Sequence, residues 1–355
     1  MRSSALLLTV LFVMPACNRT PETKPDVLAR GPEPPPSSPG VASASAAEPH
    51  APTSYKLASF ERLVAIGDLH GDLRALRGAL RLGGAIDSDD RWVGKDLTVV
   101  QTGDQLDRGD QDREVLDVIE KLEQDAKAAG GAFVVLNGNH ELMNASFDFR
   151  YVSRKSFASF SDFVSRASGA AARVPDDEKG RAAAFAPGAA YAQKLARHLT
   201  VAMVGETLFA HGGVLPAHVD YGLDRLNGEA QSFLAGRRAS LPPALSAEDS
   251  PVWTRFYGGA VDGSTCEVLG RVLQQTGAKR LVIGHTVQKD GINGACQNRL
   301  FRIDVGLSAY YGDRPPQVLE ITADGARILD AAGATPGNTP RKKSQAGEPA
   351  LHSEP

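Results

Sequence analysis

Short apolar runs, each closed by glycine and followed by polar residues, recur along the chain and alternate with stretches of helical period. Residues 62–66, 97–101 and 132–136 have the length and stops of buried strands. Between the first two, Asp72 is placed to cap a helix whose Leu73, Leu76 and Leu80 share one face, with Gly83 and Gly84 as its stop. Between the second and third, residues 112–129 carry Val115, Ile119, Leu122 and Ala126 at three- and four-residue spacing and end at Gly130 and Gly131. This strand-helix alternation predicts a parallel sheet covered by helices, with functional loops at the carboxyl ends of the strands.

From residue 144 to 198 the pattern changes to clustered aromatics (Phe147, Phe149, Tyr151, Phe157, Phe160, Phe163) and then an alanine-rich stretch from Arg181. We read it as a helical insertion, either a lid over a site or a subdomain packed on the sheet. Strands resume at 199–204 and 207–210 around a Gly205-Glu206 turn. A helix is expected at 266–275, strands at 280–283 and 299–305, and a hairpin at 317–322 and 326–329 about Asp324-Gly325. These hairpins suggest a second, more antiparallel sheet.

The 355-residue chain is 42% hydrophobic and can bury a large core, and its 39 basic and 42 acidic residues argue against nucleic acid as a partner. The ends differ from the middle. One early arginine precedes an apolar run, residues 5–14, too short to span a bilayer and shaped like a signal peptide. The sequence Val13-Met14-Pro15-Ala16-Cys17 resembles a lipoprotein processing site. We expect residues 1–17 to direct export, with Cys17 lipidated as the only membrane contact and the protein on the periplasmic or cell-surface side; ordinary secretion is the alternative. Residues 18–56, rich in Pro, Ala and Ser, are expected to form a disordered tether, 57–332 the globular domain, and 333–355 a disordered tail. In an exported chain Cys266 and Cys296 suit a disulfide, two separate buried thiols being the alternative.

Chemistry collects at the strand ends. Runs close at Asp68 and His70, at Asp104, at Asn139 and His140, at His211 and at His285. Carboxylate, amide and imidazole together suit divalent metals of hard to intermediate character, and a two-metal site needs one bridging carboxylate. Asp68 and His70 can grip one ion, Asp104 can bridge, and Asn139, His211 and His285 can complete the second. His50, His198, His218 and His352 fall outside this pattern and are expected to be structural or solvated. Glu141 is expected to brace its loop, and Asp72 and Asp110 to be helix caps.

The segments Gly67-Asp68-Leu69-His70-Gly71, Gly103-Asp104-Gln105-Leu106-Asp107-Arg108-Gly109, Gly138-Asn139-His140-Glu141, His211-Gly212-Gly213 and Gly284-His285-Thr286 resemble the ordered motifs of calcineurin-like metallophosphoesterases, in the form of the phosphoprotein phosphatase branch. Phe149-Arg150-Tyr151-Val152, residues 221–225, and Ile292 to Cys296 with Arg302 to Gly306 are most similar to bacterial Shewanella-like phosphatases. The resemblance implies a central β-sandwich of two mixed sheets flanked by helices. It implies two divalent metals, manganese first with iron or zinc as alternatives, one held by Asp68, His70 and Asp104, the other by Asp104, Asn139, His211 and His285. Arg108 would clamp phosphate oxygens and His140, oriented by Asp107, would protonate the leaving oxygen; Arg255 is a candidate second phosphate arginine. Water activated by the metals would then attack phosphorus directly, with no side-chain nucleophile. The expected substrate is a phosphomonoester, phosphotyrosine in protein or peptide foremost. Small phosphate esters or dinucleoside polyphosphates, and a non-catalytic binding module, are the competing readings. A monomer is expected, insensitive to the toxins that dock on eukaryotic relatives, because Tyr310-Tyr311-Gly312 replaces their receiving loop.

Overall fold

A computed structural model describes residues 54–58, 61–312 and 314–337. Among them twelve strands form two six-stranded sheets. They are β1 (Lys56–Leu57), β2 (Arg62–Ile66), β3 (Thr98–Gln101), β4 (Ala132–Val135), β5 (Val201–Val204), β6 (Thr207–Ala210), β7 (Arg280–Ile283), β8 (Asn293–Ala295), β9 (Leu300–Arg302), β10 (Val318–Thr322), β11 (Gly325–Asp330) and β12 (Gly333–Pro336). The first sheet runs β12-β11-β10-β2-β3-β4, with β2, β3 and β4 parallel as the strand-helix alternation requires. The second runs β1-β5-β6-β7-β9-β8.

Both sheets are mixed, as the family resemblance implies, whereas local patterning alone pointed to one parallel and one more antiparallel sheet. The carboxyl-terminal hairpin does not join the second half; β10 lies antiparallel beside β2, Leu319 opposite Ala65. Local patterning announces a hairpin but does not say which sheet edge receives it. The edge strand β12 lies beyond the expected domain boundary at 332, and β1, with the Tyr55 amide donating to Asp224 Oδ1, begins just before the other one. The helix expected at 266–275 spans Gly263–Thr276, because Asp262 caps it by accepting from the Thr265 amide.

The second sheet is buried on both faces, and its side chains alternate accordingly. Ala202, Val204, Phe209 and Val282 pack with Leu63, Val99 and Leu319 of the first sheet, whereas Val201, Met203, Leu208, Leu281 and Ile283 pack with Leu226, Ala230, Leu269 and Val272 from helices. The sheets therefore face each other across one core, and helices cover the outer face of the second.

Residues 144–198 form short helical pieces, including Arg154–Ala158, Lys179–Phe185 and Ala190–Leu195. They are fastened rather than free. Phe160, Phe163, Phe185 and Tyr191 pack ring against ring, and Lys194 pairs with Asp117 and Glu120 of the helix Asp112–Ala128. A disulfide joins Cys266 and Cys296, tying the helix Gly263–Thr276 to the outer edge of the second sheet. Cys17, His50 and His352 lie outside the described residues.

Candidate metal centre

The ends of β2, β3 and β7 and the loops after β4 and β6 bring the predicted ligands together. Asp68, His70, Asp104, Asn139, His211 and His285 are all buried. Their backbone is unusual: His70, Asp104 and His285 have φ of 44°, 55° and 65°, and Asp107 and Arg108 have 71° and 66°. Non-glycine residues at positive φ cost about 1–3 kcal/mol each and persist where surrounding contacts demand the orientation they give. Here a short carboxylate bracket makes the demand. Glu141 accepts from the amides of Gly138 (2.6 Å), Asp104 (2.9 Å) and Gln105 (2.9 Å), joining the two ligand loops as expected of a brace. Gly138 has to be glycine, since a Cβ there would strike Asp104 Oδ1.

The imidazoles are aimed by backbone carbonyls. His70 Nδ1 lies 3.1 Å from Leu106 O, His211 Nδ1 2.9 Å from Thr102 O, and His285 Nε2 3.0 Å from Trp253 O. A carbonyl only accepts, so each of these nitrogens carries its proton and the other nitrogen of each ring points inward. His211 Nε2 then lies 3.0 Å from Asn139 Oδ1, 3.1 Å from Asp104 Oδ2 and 3.1 Å from His285 Nδ1. A proton on His211 Nε2 could serve one of these contacts; a divalent cation serves all four atoms. On the other side of Asp104, His70 Nε2 sits 3.8 Å from Asp104 Oδ2 and 4.0 Å from Asp68 Oδ2. The ligand atoms of His70, Asp104 and His140 lie within 4.8 Å of one another, as do those of Asp104, His211 and His285; with Asp68 and Asn139 alongside, this donor set fits divalent metals, Asp104 being common to both halves.

Electrostatics agree. Burial and the charges of Asp304 and Asp104 raise the Asp68 pKa well above the usual carboxylate value. Burial and His140 lower that of His70 to about 3, and burial and His211 lower that of His285 well below the usual imidazole value, leaving both rings neutral for ligation. Burial opposes the charge on Asp104, but His211 and His140 outweigh it and hold its pKa well below the ordinary value.

His140 also approaches Asp104, with Nε2 3.7 Å from Oδ2. Its Nδ1 is 2.6 Å from Asp107 Oδ2. Burial disfavours its charge, yet Asp104 and the Asp107 hydrogen bond raise its pKa to about 9, so in the absence of metal the ring carries a proton near neutrality.

Arg108 is stacked among tyrosines, its guanidinium 4.4 Å from the Tyr151 ring, 5.0 Å from Tyr310 and 5.7 Å from Tyr311. Arg255 donates from Nη1 to His285 O (3.0 Å) and Thr286 Oγ1 (3.2 Å), which brings it to the rim of the same centre. Asp72 caps the helix Leu73–Leu82 as expected. Asp110 does not cap the next one; it accepts from Ser153 Oγ (2.7 Å) and Lys155 Nζ (3.0 Å), and Gln111 precedes the helix without a side-chain cap. His198 pairs with Glu123, and His218 Nδ1 accepts from the Leu215 amide, both away from the centre.

Three participants were not assigned to the site from sequence, although Tyr151 and Asp304 lie within motifs that carry the family resemblance. Tyr151 and Arg181 come from the insertion, and their spacing gives no hint of where they point. Asp304 follows an apolar run as the other ligand-bearing residues do, and its position after β9 was the available signal. Asp304 is buried near Asp68, with Oδ2 lacking a hydrogen-bond partner among the described residues.

Residues 61–289 match the family model of the calcineurin-like phosphoesterases. The chain belongs to that family. Calcineurin-like phosphoesterases with which it compares include Shewanella-like protein phosphatase 2 of Arabidopsis thaliana, 39% identical over 302 residues that cover 76% of this chain and 77% of the relative. Shewanella-like protein phosphatase 1 of Plasmodium berghei is 28% identical over 272 residues, covering 73% and 71%. The cold-active protein-tyrosine phosphatase of a psychrophilic Shewanella superposes with a TM-score of 0.65 at 25% identity, over 78% of this chain and 80% of that one. Within the calcineurin-like phosphoesterases this is a metal-dependent phosphatase of the Shewanella-like group, with the mixed two-sheet fold and the donor set that such chemistry uses.

Proposed function

We propose that this phosphatase hydrolyses phosphomonoesters, with phosphotyrosine in protein or peptide as its preferred substrate and two divalent cations, manganese first, as cofactors. When bound, the cations supply an activated water and neutralise phosphoryl charge. The chain supplies the rest. Arg108 grips phosphoryl oxygens with its planar fork, and Arg255, beside His285, adds a second guanidinium. His140, held by Asp107, gives its proton to the departing oxygen. The observation that carries this reading is the 2.6 Å contact of His140 Nδ1 with Asp107 while Nε2 faces the ligand Asp104, which puts a proton donor beside the phosphoryl site. Attack is direct, with no phosphoenzyme; trapping one on histidine or aspartate would remove this part of the reading.

The tyrosine preference rests on the aromatic surround of Arg108 and on the named activity of the Shewanella relative. Steady-state comparison of phosphotyrosine peptide, phosphoserine peptide and nucleotide substrates, on protein of measured metal content, tests it. The highest kcat/KM is expected for the phosphotyrosine peptide, and a clear advantage for either other class overturns the preference.

We also propose export, with Cys17 lipidated and the protein a monomer. Support comes from the apolar run at residues 5–14 and from the Cys266–Cys296 bond, which suits an oxidising compartment. Cys17→Ser should release the protein from the membrane fraction; unchanged fractionation would overturn anchoring by lipid.

A further inference from the structure

The largest fully buried side chain among the described residues is that of Arg181, which is 0% exposed. It belongs to the insertion, on the helix Lys179–Phe185, and every arm of its guanidinium is used. Nε donates to Asn144 Oδ1 (2.7 Å), Nη1 to Ser156 Oγ (2.7 Å), and Nη2 to Asp107 Oδ1 (2.9 Å) and Asp112 Oδ2 (2.7 Å). Phe160 and Phe185 flank its plane at 5.4 and 5.0 Å.

We propose that Arg181 is a positioning residue for proton donation, acting through Asp107 on His140. The inference rests on the role given to His140 above. Asp107 sits at a positive φ of 71°, so its backbone does not by itself favour the orientation it holds. Its Oδ1 is fixed by Arg181 Nη2 and by Asn144 Nδ2 (2.9 Å), and this leaves Oδ2 turned to His140 Nδ1. Asn144 is itself set by Arg181 through Oδ1 and reaches back to His140 O (2.9 Å). Asp112, the second carboxylate on the fork, accepts from the Asp107 amide through Oδ1 (3.0 Å) and from Ser156 Oγ through Oδ2 (2.7 Å). One guanidinium thus governs the side chain of Asp107, its backbone and its amide neighbour. A buried ionic network is a weak route to stability, since apolar packing of the same volume does as well or better. Geometric control of Asp107 is the better account of why charge is kept here. It follows that the insertion, besides bordering the site, supplies part of what aims the acid.

The test compares wild type, Arg181→Lys, Arg181→Met and His140→Asn on manganese-loaded protein, with phenyl phosphate and p-nitrophenyl phosphate. Only the phenolate leaving group of the first needs protonation strongly. Both Arg181 variants should lose on the order of 10²-fold in kcat for phenyl phosphate, the cost of a misaimed donor, and less than about 3-fold for p-nitrophenyl phosphate. KM and metal content should stay near wild type, and lysine should recover part of the loss. If Arg181→Met does not fold, Arg181→Lys and Ser156→Ala carry the test, the latter with a smaller loss of the same selectivity. Equal losses on both esters in the Arg181 variants, while His140→Asn is selective, overturn the positioning role. Equal losses in His140→Asn as well overturn the acid assignment itself and Arg181's part in it.

Discussion

His211 Nε2 and His285 Nδ1 face each other at 3.1 Å, each ring held in place by a carbonyl behind it. That arrangement is costly unless a cation lies between, and buried Asp68, Asp104 and Asp304 add mutual repulsion to it. Removing metal should therefore loosen the fold as well as stop turnover. Metal at 1,000 times its Kd contributes about 4 kcal/mol, on the order of 10 °C in Tm for a domain of this size. Calorimetry before and after chelation measures this, and an unchanged Tm would count against the centre as described.

Asp104 stands between the two halves of the site, 3.1 Å from His211 Nε2 and 3.8 Å from His70 Nε2. Asp104→Asn should cost metal and activity together, with kcat down by at least about 10³-fold, as expected when metal chemistry is lost. His140→Asn should keep its metal and lose most turnover. Elemental analysis beside kinetics separates the two, and a fully loaded Asp104→Asn would contradict the bridging assignment.

The pKa of His140 is raised from 6.5 to about 9, burial opposing and the charge of Asp104 and the Asp107 bond outweighing it. A raised pKa means that the proton's contribution to stability is complete below pH 6.5 and is lost as pH rises through about 9. In the metal-loaded enzyme the cations at Asp104 offset its charge, so activity on esters of poor leaving groups should fall on the alkaline side at a pH below that of the metal-free titration, because the donor is then empty. Asp107→Asn removes one of the raising interactions, so its alkaline limb should move to lower pH. A limb that stays in place after this substitution would exclude His140 as the titrating donor.

Cys266 and Cys296 close a loop with a sequence separation of 30. Chain entropy puts its contribution at roughly 3–4 kcal/mol. Cys266→Ser should lower the denaturant midpoint accordingly while leaving kcat within about 2-fold, since His285, the candidate ligand inside the loop, follows β7, which β6 and β9 hold from both sides; losing activity at unchanged stability would be the opposite result.

The clustering of the candidate ligands was legible because each stands where an apolar run stops, and the parallel strands β2, β3 and β4 of one sheet and β6 and β7 of the other end at the same centre. The brace Glu141 was legible from its place beside two of them. Arg181 and Tyr151 were not, because an insertion's side chains are aimed by how its short helices pack, which no period in the sequence encodes. Asp110 misled for a related reason: its carboxylate is captured by Ser153 and Lys155 across the insertion boundary, a long-range contact that outcompetes local capping. The β10–β11 hairpin was visible from Asp324-Gly325, but its docking beside β2 is a tertiary choice.

That docking has a consequence for how the molecule is made. β2 leads directly into Asp68 and His70, yet one of its two neighbours, β10, is synthesised last; Arg62 and Glu320, which pair across that seam, are 258 positions apart. A growing chain must carry the open flank of β2 through the whole of synthesis before β10 can cover it. Assembly of the catalytic edge is thus a terminal event, and a chain interrupted before residue 318 would possess every candidate ligand and still lack the strand that flanks β2, which leads into the first two.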